Sequence, residues 1–166
     1  ITYKELISCA RSLPIKKNEL VLLFCNNDIE SIVIYVASLI RKSPIYLIDA
    51  NTSKNFYEKT VINYEPEIIV IAKSKEFKNK NYFKFEFFKE YVFYKKKKFK
   101  KNIINKNLSI LLTTSGTTGT QKLAKISQSN LIIPNNDMLT IETMHLLICH
   151  LLTSLLRSEG TPLFSY

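Results

Sequence analysis

The sequence predicts an α/β fold, with a largely parallel sheet and helices on its faces. Three short, continuous apolar runs are typical of strands that are buried on both faces: Val21–Phe24, Pro44–Ile48 and Ile68–Ile71. Segments with apolar residues at helical spacing alternate with these runs, and this βαβαβ order indicates a parallel sheet. The chain has 166 residues, 46% of them hydrophobic, which suffices for one ordinary core or for part of a larger enzyme.

The first two helices each begin at a predicted capping box. Thr2 supplies a hydroxyl cap with Glu5 three residues later, and Pro14 ends the helix that follows. A second capping box is predicted at Asn27 and Glu30. The second helix should carry one apolar face, which is formed by Ile29, Ile32, Val33, Val36 and Ile40.

The middle of the chain predicts one more helix and an exposed strand. Residues 53–64 form the predicted third helix, with Tyr57, Val61 and Tyr64 on one side. The run Phe83–Phe87 alternates apolar and charged residues with period two, which predicts a half-exposed strand. Residues 95–101 are lysines interrupted only by Phe99, and we expect a solvated loop there.

The last third of the chain resumes the buried pattern. Leu108–Leu112 predicts a buried strand, and Leu123–Ile126 predicts a strand that returns beside it. Ser127 is a candidate cap for a helix that begins near Asn130, and residues 140–157 form a predicted last helix.

The net charge of +10 is confined to one segment. Residues 73–106 hold thirteen lysines and three glutamates, a balance of +10, whereas the remaining residues carry 11 basic and 11 acidic side chains. Nine of the nineteen aromatic residues lie between Tyr82 and Phe99, so this segment could stack on single-stranded nucleic acid. The favoured interpretation is an insertion-like, solvated segment whose lysines protect an edge strand, and under it nucleic acid is not an expected partner.

The cysteines indicate the cellular compartment, and the first residue of the sequence indicates the extent of the chain. Cys9, Cys25 and Cys149 are scattered without metal-binding spacing, which predicts reduced thiols and a cytoplasmic protein. Cys25 ends a buried strand and is predicted to lie in the core. The sequence begins at Ile1 without a targeting signal, so we expect a piece of something longer.

The late apolar stretch has two further interpretations. It runs from residue 144 to residue 156, which is too short for a membrane span, and none is predicted. His145 and Cys149 are four residues apart on the last predicted helix and could share a metal. No other ligands accompany them, so a packed helix face is favoured and no metal site is predicted.

One short string has the composition of a phosphate cradle. Gly116 and Gly119, two of the three glycines in the chain, lie between Thr114 and Lys122. Glycines let backbone N–H groups turn toward an anion, the hydroxyls add donors, and Lys122 adds positive charge. The string follows a strand, where α/β sheets bind ligands. It is not the common P-loop, because Gln121 and Leu123 stand where that pattern needs glycine and a hydroxyl residue. A plain hairpin turn is the alternative.

The string resembles the phosphate-loop signature of the AMP-forming adenylating enzymes, which include acyl-CoA synthetases, peptide-synthetase adenylation domains and luciferases. The matching string is Thr-Ser-Gly-Thr-Thr-Gly from Thr114 to Gly119, followed by Lys122. Ser127 and Asn130-Leu131 match the family's continuation, and the start Thr2–Leu6 resembles its early Thr-Tyr-x-Glu-Leu. The sequence departs where the family usually has proline, glycine and histidine, at Gln121, Leu123 and Gln128.

The resemblance implies the N-terminal subdomain of an adenylate-forming enzyme. Residues 1–166 would be a partial AMP-binding domain with the insertion-like basic segment at 73–106. A carboxylate would attack the α-phosphate of Mg-ATP, and coenzyme A or the pantetheine of an acyl-carrier protein would then take the acyl group. The implied ligands are therefore ATP, Mg²⁺ and a small-molecule carboxylate. The residues implied to hold the β- and γ-phosphates are Thr114, Ser115, Gly116, Thr117, Thr118, Gly119 and Lys122.

The rest of the implied active site has no counterpart in this sequence. By resemblance, catalysis also needs an acyl pocket, an adenine-binding segment, a ribose-binding aspartate and a lysine on a mobile domain. No catalytic base or nucleophile is visible in the loop itself. We therefore expect that the chain does not complete adenylation by itself. A non-catalytic remnant that keeps only the phosphate loop is the alternative.

Overall fold

The computed structural model describes residues 2–75, 77–97, 105, 107–114 and 122–127, with only the backbone described at 113–114 and 122–124. The first half contains three helices and three strands: α1 (Tyr3–Ser12), β1 (Val21–Cys25), α2 (Ile29–Ile40), β2 (Ile45–Asp49), α3 (Lys54–Tyr64) and β3 (Ile68–Ala72). Four strands follow: β4 (Tyr82–Phe88), β5 (Tyr91–Lys96), β6 (Leu108–Thr114) and β7 (Lys122–Ser127).

The described strands form one seven-stranded sheet in the order β4-β5-β3-β1-β2-β6-β7. Its centre is parallel, because β1 pairs in parallel with β2 and β3, and β2 pairs in parallel with β6. The flanks are antiparallel, with β4 and β5 beyond β3 and β7 beyond β6. The predicted α/β fold with a largely parallel sheet is confirmed.

The helices cover both faces of this sheet and divide the core into two clusters. The first core cluster joins α1 and α2 to one face of the strands, with Ala10, Val33 and Ile34 among its helical members. The second core cluster joins α3 to the other face through Val61. Tyr57 packs edge-on against Phe24 with ring centroids 5.7 Å apart, as expected for the inner side of α3.

The predicted N-cap is correct for α1 and wrong for α2. At α1 the capping box is confirmed, since Thr2 N donates to Glu5 Oε2 at 2.8 Å and Glu5 N donates to Thr2 Oγ1 at 3.3 Å. At α2 the predicted cap Asn27 is wrong. Asp28 is the N-cap, and its Oδ1 accepts a hydrogen bond from Ser31 N at 2.8 Å. The carboxylate lies one residue closer to the first helical turn, so it reaches the free N–H group there.

The predicted apolar face of α2 is mostly not the face that the helix buries. The residues that α2 buries are Ser31, Val33, Ile34, Ala37 and Ser38. Of the predicted face only Val33 is buried, whereas Ile29, Ile32 and Ile40 are exposed. Because α2 carries apolar residues on every side, its sequence pattern did not determine which side meets the sheet.

The basic segment is partly built into the sheet. The predicted solvated loop is wrong at its start, since Lys95 and Lys96 belong to β5, which pairs with β3. Lys95 lies 3.2 Å from Glu19 and Lys96 lies 2.7 Å from Glu65, so both charges have acidic partners. The half-exposed strand at 83–87 is confirmed as part of β4, at one end of the strand order.

Several predictions fall beyond the part of the chain that the structure describes. The helix near Asn130, the helix over 140–157 and the pair His145 and Cys149 lie outside the described residues, and Ser127 is described as the last residue of β7. Within the described ranges, no helix has the length and apolarity needed to cross a membrane.

Candidate functional site

The predicted phosphate string joins β6 to β7. Strand β6 ends at Thr114, β7 begins at Lys122, and these two residues are opposed in the antiparallel ladder. Opposed residues in such a ladder have Cα atoms about 4.5–5.5 Å apart. The structure thus brings the two ends of the string together. The candidates between them lie outside the described residues, namely Ser115, Gly116, Thr117, Thr118 and Gly119.

The string begins at the carboxyl edge of the parallel strands. Cys25, the last residue of β1, is paired with Asp49, the last residue of β2. Strand β6 is parallel to β2 with Leu47 opposite Leu112, so Thr114, two residues further on, is level with Asp49. This edge is where open α/β sheets bind their ligands, outside the carboxyl ends of the strands.

The same edge contains the switch point of the sheet. The chain passes from β1 to β2 on one side and then crosses back to β3 on the other side of β1. The helix after β1 belongs to the first core cluster and the helix after β2 to the second, so these helices diverge to opposite faces. Such divergence leaves a crevice between the carboxyl ends of β1 and β2. Because β6 borders β2, the string starts one strand away from this crevice.

A hydrogen-bonded network fixes the turn that follows β1. The hydroxyl of Tyr91, a fully buried residue of β5, donates to Asp28 Oδ2 at 2.8 Å. It accepts from Asn26 Nδ2 at 3.0 Å and lies 2.8 Å from Ser31 Oγ. One tyrosine therefore joins β5 to the end of β1 and to the start of α2, at the edge where the crevice opens.

The protonation states in this network suit a structural role. Burial by itself would raise the pKa of Asp28, but hydrogen bonds from Ser31, Tyr91 and Asn26 outweigh it and hold the pKa below its ordinary value. Burial raises the pKa of Tyr91, so its hydroxyl stays protonated. At neutral pH the carboxylate is a fixed acceptor and the phenol a fixed donor, and neither is poised for proton transfer.

Cys25 lies at the same edge but is not a nucleophile. Its Sγ donates to Ile48 O at 3.1 Å, and burial raises the pKa of the thiol to about 12. The prediction of a core cysteine is confirmed. Among the residues that the structure describes, there is no group of three His, Cys, Asp or Glu side chains able to hold a metal ion.

Sequence reasoning missed the network around Tyr91. An aspartate just before a helix is a common N-cap, so the role of Asp28 could have been predicted from the sequence. Tyr91 is 63 residues from Asp28 in sequence, and no local pattern links the two. Only the pairing of β5 with β3 places the tyrosine beside the end of β1.

Comparisons with known proteins support the fold. No protein-family model matches the chain, and no curated protein matches it. Among solved structures, the chain is similar to apo MatB from Rhodopseudomonas palustris, with a TM-score of 0.53 and 18% sequence identity. The match covers 79% of this chain and 30% of the MatB chain, so the chain spans less than a third of that relative. At this identity the similarity shows the fold.

Proposed function

We propose that the chain is the N-terminal part of an adenylate-forming enzyme, and that residues 114–122 hold the β- and γ-phosphates of ATP. The observation that carries the proposal is the position of the family-like string, which joins two antiparallel strands at the carboxyl edge of a parallel sheet. The fold similarity to MatB, an AMP-forming ligase, supports the same family.

The composition of the string suits a polyphosphate. Its hydroxyl groups, from Thr114 through Thr118, are short donors, and Gly116 and Gly119 allow backbone N–H groups to converge on an anion. Lys122 begins β7 opposite the first residue of the string, so the string has positive charge at its closing end. An anion site needs several hydrogen-bond donors that converge on one point. Thr114 and Lys122 are opposed in the ladder, so the connection between β6 and β7 supplies all the donors of the string.

The string would act on the leaving group of the first reaction step. When a carboxylate attacks the α-phosphate, negative charge builds on the departing pyrophosphate. Fixed hydroxyl, N–H and ammonium donors at the β- and γ-phosphates stabilise that charge without reorganising during the reaction. ATP, Mg²⁺ and coenzyme A or a pantetheine carrier accompany this chemistry in the family, and they belong to the proposal together with a small carboxylate substrate and a cytoplasmic location.

The proposal includes that this chain does not complete adenylation by itself. The chain spans 30% of MatB, and its sequence has no counterpart of the adenine-binding segment, the ribose-binding aspartate or the mobile-domain lysine that the family resemblance implies. Carboxylate-dependent exchange of pyrophosphate into ATP by the purified 166-residue chain would contradict this part. A non-catalytic remnant predicts no exchange either, so ATP binding distinguishes the two.

Calorimetric titration with ATP tests the loop directly. Lys122→Ala should weaken binding roughly ten- to a hundredfold, because it removes a charged partner worth about 1.5–3 kcal/mol. Lys125→Ala is the matched control, since Lys125 is an exposed lysine three residues further along β7. A folded wild-type chain that does not bind ATP would favour the remnant. Equal losses in the two variants would remove Lys122 from the site.

A further inference from the structure

The outer face of α2 is apolar, and the described residues cover it only in part. The face opposite the sheet carries Ile29, Ile32 and Ile40, which are 38%, 53% and 39% exposed, with half-buried Val36 between them. Their spacing of three, four and four residues places them in one stripe along the helix. We call this set of four residues the outer stripe.

A helix of this composition is built to be covered on both sides. Glu30 is the one charged residue among the twelve of α2, and Lys89 pairs with it at 2.8 Å. A surface helix would place charged and polar residues opposite its core face, and a helix that is apolar all round is a buried one. Removing the exposed parts of these isoleucines from water is favourable, so covering the outer stripe would stabilise the fold.

We propose that residues 140–157 of this same chain cover the outer stripe. This segment carries two charged residues, Glu142 and Arg157, one near each end, and ten of its eighteen residues are apolar. Its sequence predicts a helix about 27 Å long, and α2 is about 18 Å long, so the segment is long enough to cover the stripe. Packing these two apolar surfaces together is favourable, because it removes both of them from water.

The chain leaves the sheet in a suitable place for this contact. Ser127, the last residue of β7, is paired with Leu108, the first residue of β6, so the chain departs at the amino edge of the parallel strands. Helix α2 ends at Ile40, five residues before β2 begins at that same edge. Ile126 packs against the first core cluster, to which α2 also belongs.

The linker is long enough for this packing. Strand β7 lies two strands from β2, about 10 Å away. The twelve residues 128–139 can span up to about 40 Å when extended. The inference does not depend on ATP binding, because it rests on α2 and on the apolar sequence of 140–157.

Cross-linking of the full 166-residue chain tests the contact. Ile32→Cys in a Cys9→Ser background places a thiol on the outer stripe, and native Cys149 lies in the middle of the covering segment. Ile62→Cys is the control, because Ile62 is 69% exposed on α3, which packs on the opposite face of the sheet. During a long incubation, a short bismaleimide should link positions 32 and 149 within one monomer, because one attached end holds the other beside the slowly reacting thiol, and it should not link 62 to 149.

Labelling rates give the second readout. In the native protein a monofunctional maleimide should react at least about tenfold more slowly at position 32 than at position 62. Equal, fast labelling with no link to Cys149 would overturn the proposal, and links between two chains would overturn it in favour of a second copy. Ile40→Cys repeats both measurements at the other end of the stripe, so a local defect in one variant does not decide the result.

Discussion

Nζ of Lys95 lies 3.2 Å from Oε1 of Glu19, in a pair whose side chains are 18% and 6% exposed. The same ammonium group lies 5.5 Å from the centre of the Phe85 ring. A lysine from the most basic stretch of the sequence is therefore part of the packed sheet, held between a carboxylate and an aromatic face.

Removing this lysine should destabilise the chain. Lys95→Met leaves the carboxylate of Glu19 buried without its cation, and breaking such a pair costs about 3 kcal/mol. Lys97→Met is the control, because Lys97 is exposed immediately after β5, and its free energy of unfolding should change by less than about 0.5 kcal/mol. Urea unfolding of both variants measures the difference, and equal stabilities would show that the pair is not structural.

Nucleic-acid binding through residues 73–106 should be absent. Among the described residues of the segment, lysines that are paired with glutamates include Lys73, Lys89, Lys95 and Lys96. Part of its aromatic set also packs within the protein, as the 6.1 Å contact between Phe85 and Phe93 shows. Titration of a labelled single-stranded oligonucleotide should show no strong binding at low salt. Affinity that falls steeply as salt rises would instead support a basic binding module.

The hydroxyl of Tyr91 should contribute measurably to stability. Tyr91→Phe removes the shared partner of Asp28, Asn26 and Ser31, and the hydroxyl of Ser31, the buried member of the three, costs about 1–3 kcal/mol if it is left unsatisfied. The same substitution at Tyr3, which is exposed, should change the free energy of unfolding by less than about 0.5 kcal/mol. A Tyr91→Phe variant as stable as Tyr3→Phe would mean that water replaces the hydroxyl without loss.

Stability should fall in acid partly through Asp28. Its pKa in the folded chain is below its ordinary value, because hydrogen bonds outweigh burial. The carboxylate therefore stabilises the fold above the unfolded pKa of about 4, and this contribution is lost as pH falls through the lower folded pKa. Unfolding curves between pH 6 and pH 3 should show a smaller loss for Asp28→Asn than for the wild type. Parallel pH profiles would contradict this role.

The strands of the parallel centre were predictable because their signal is local. A strand that is buried on both faces needs an unbroken apolar run, and β1, β2 and β3 each have one. The start of α1 was equally readable, since both halves of its capping box lie within four residues. Each of these features depends on neighbours in sequence.

The features that the sequence did not predict depend on contacts between residues that are distant in sequence. Strand β5 ends in lysines that resemble a solvated loop, and their backbone pairing with β3 and β4 makes them part of the sheet, with Glu19 and Glu65 as their charge partners. The orientation of α2 was ambiguous because both of its faces are apolar, and the sheet decides which one is buried. At the candidate site, the string itself was readable from residue types, whereas its position beside β2 follows from the parallel pairing of β6.

The central claim is that residues 114–122 bind the terminal phosphates of ATP, and competition by pyrophosphate tests it most directly. With the chain bound to a fluorescent ATP analogue, pyrophosphate should displace the analogue about as well as ATP does, and adenosine should not. Lys122→Ala should abolish this competition, and Lys125→Ala should preserve it. Displacement by adenosine but not by pyrophosphate, or the same competition in both variants, would contradict the account.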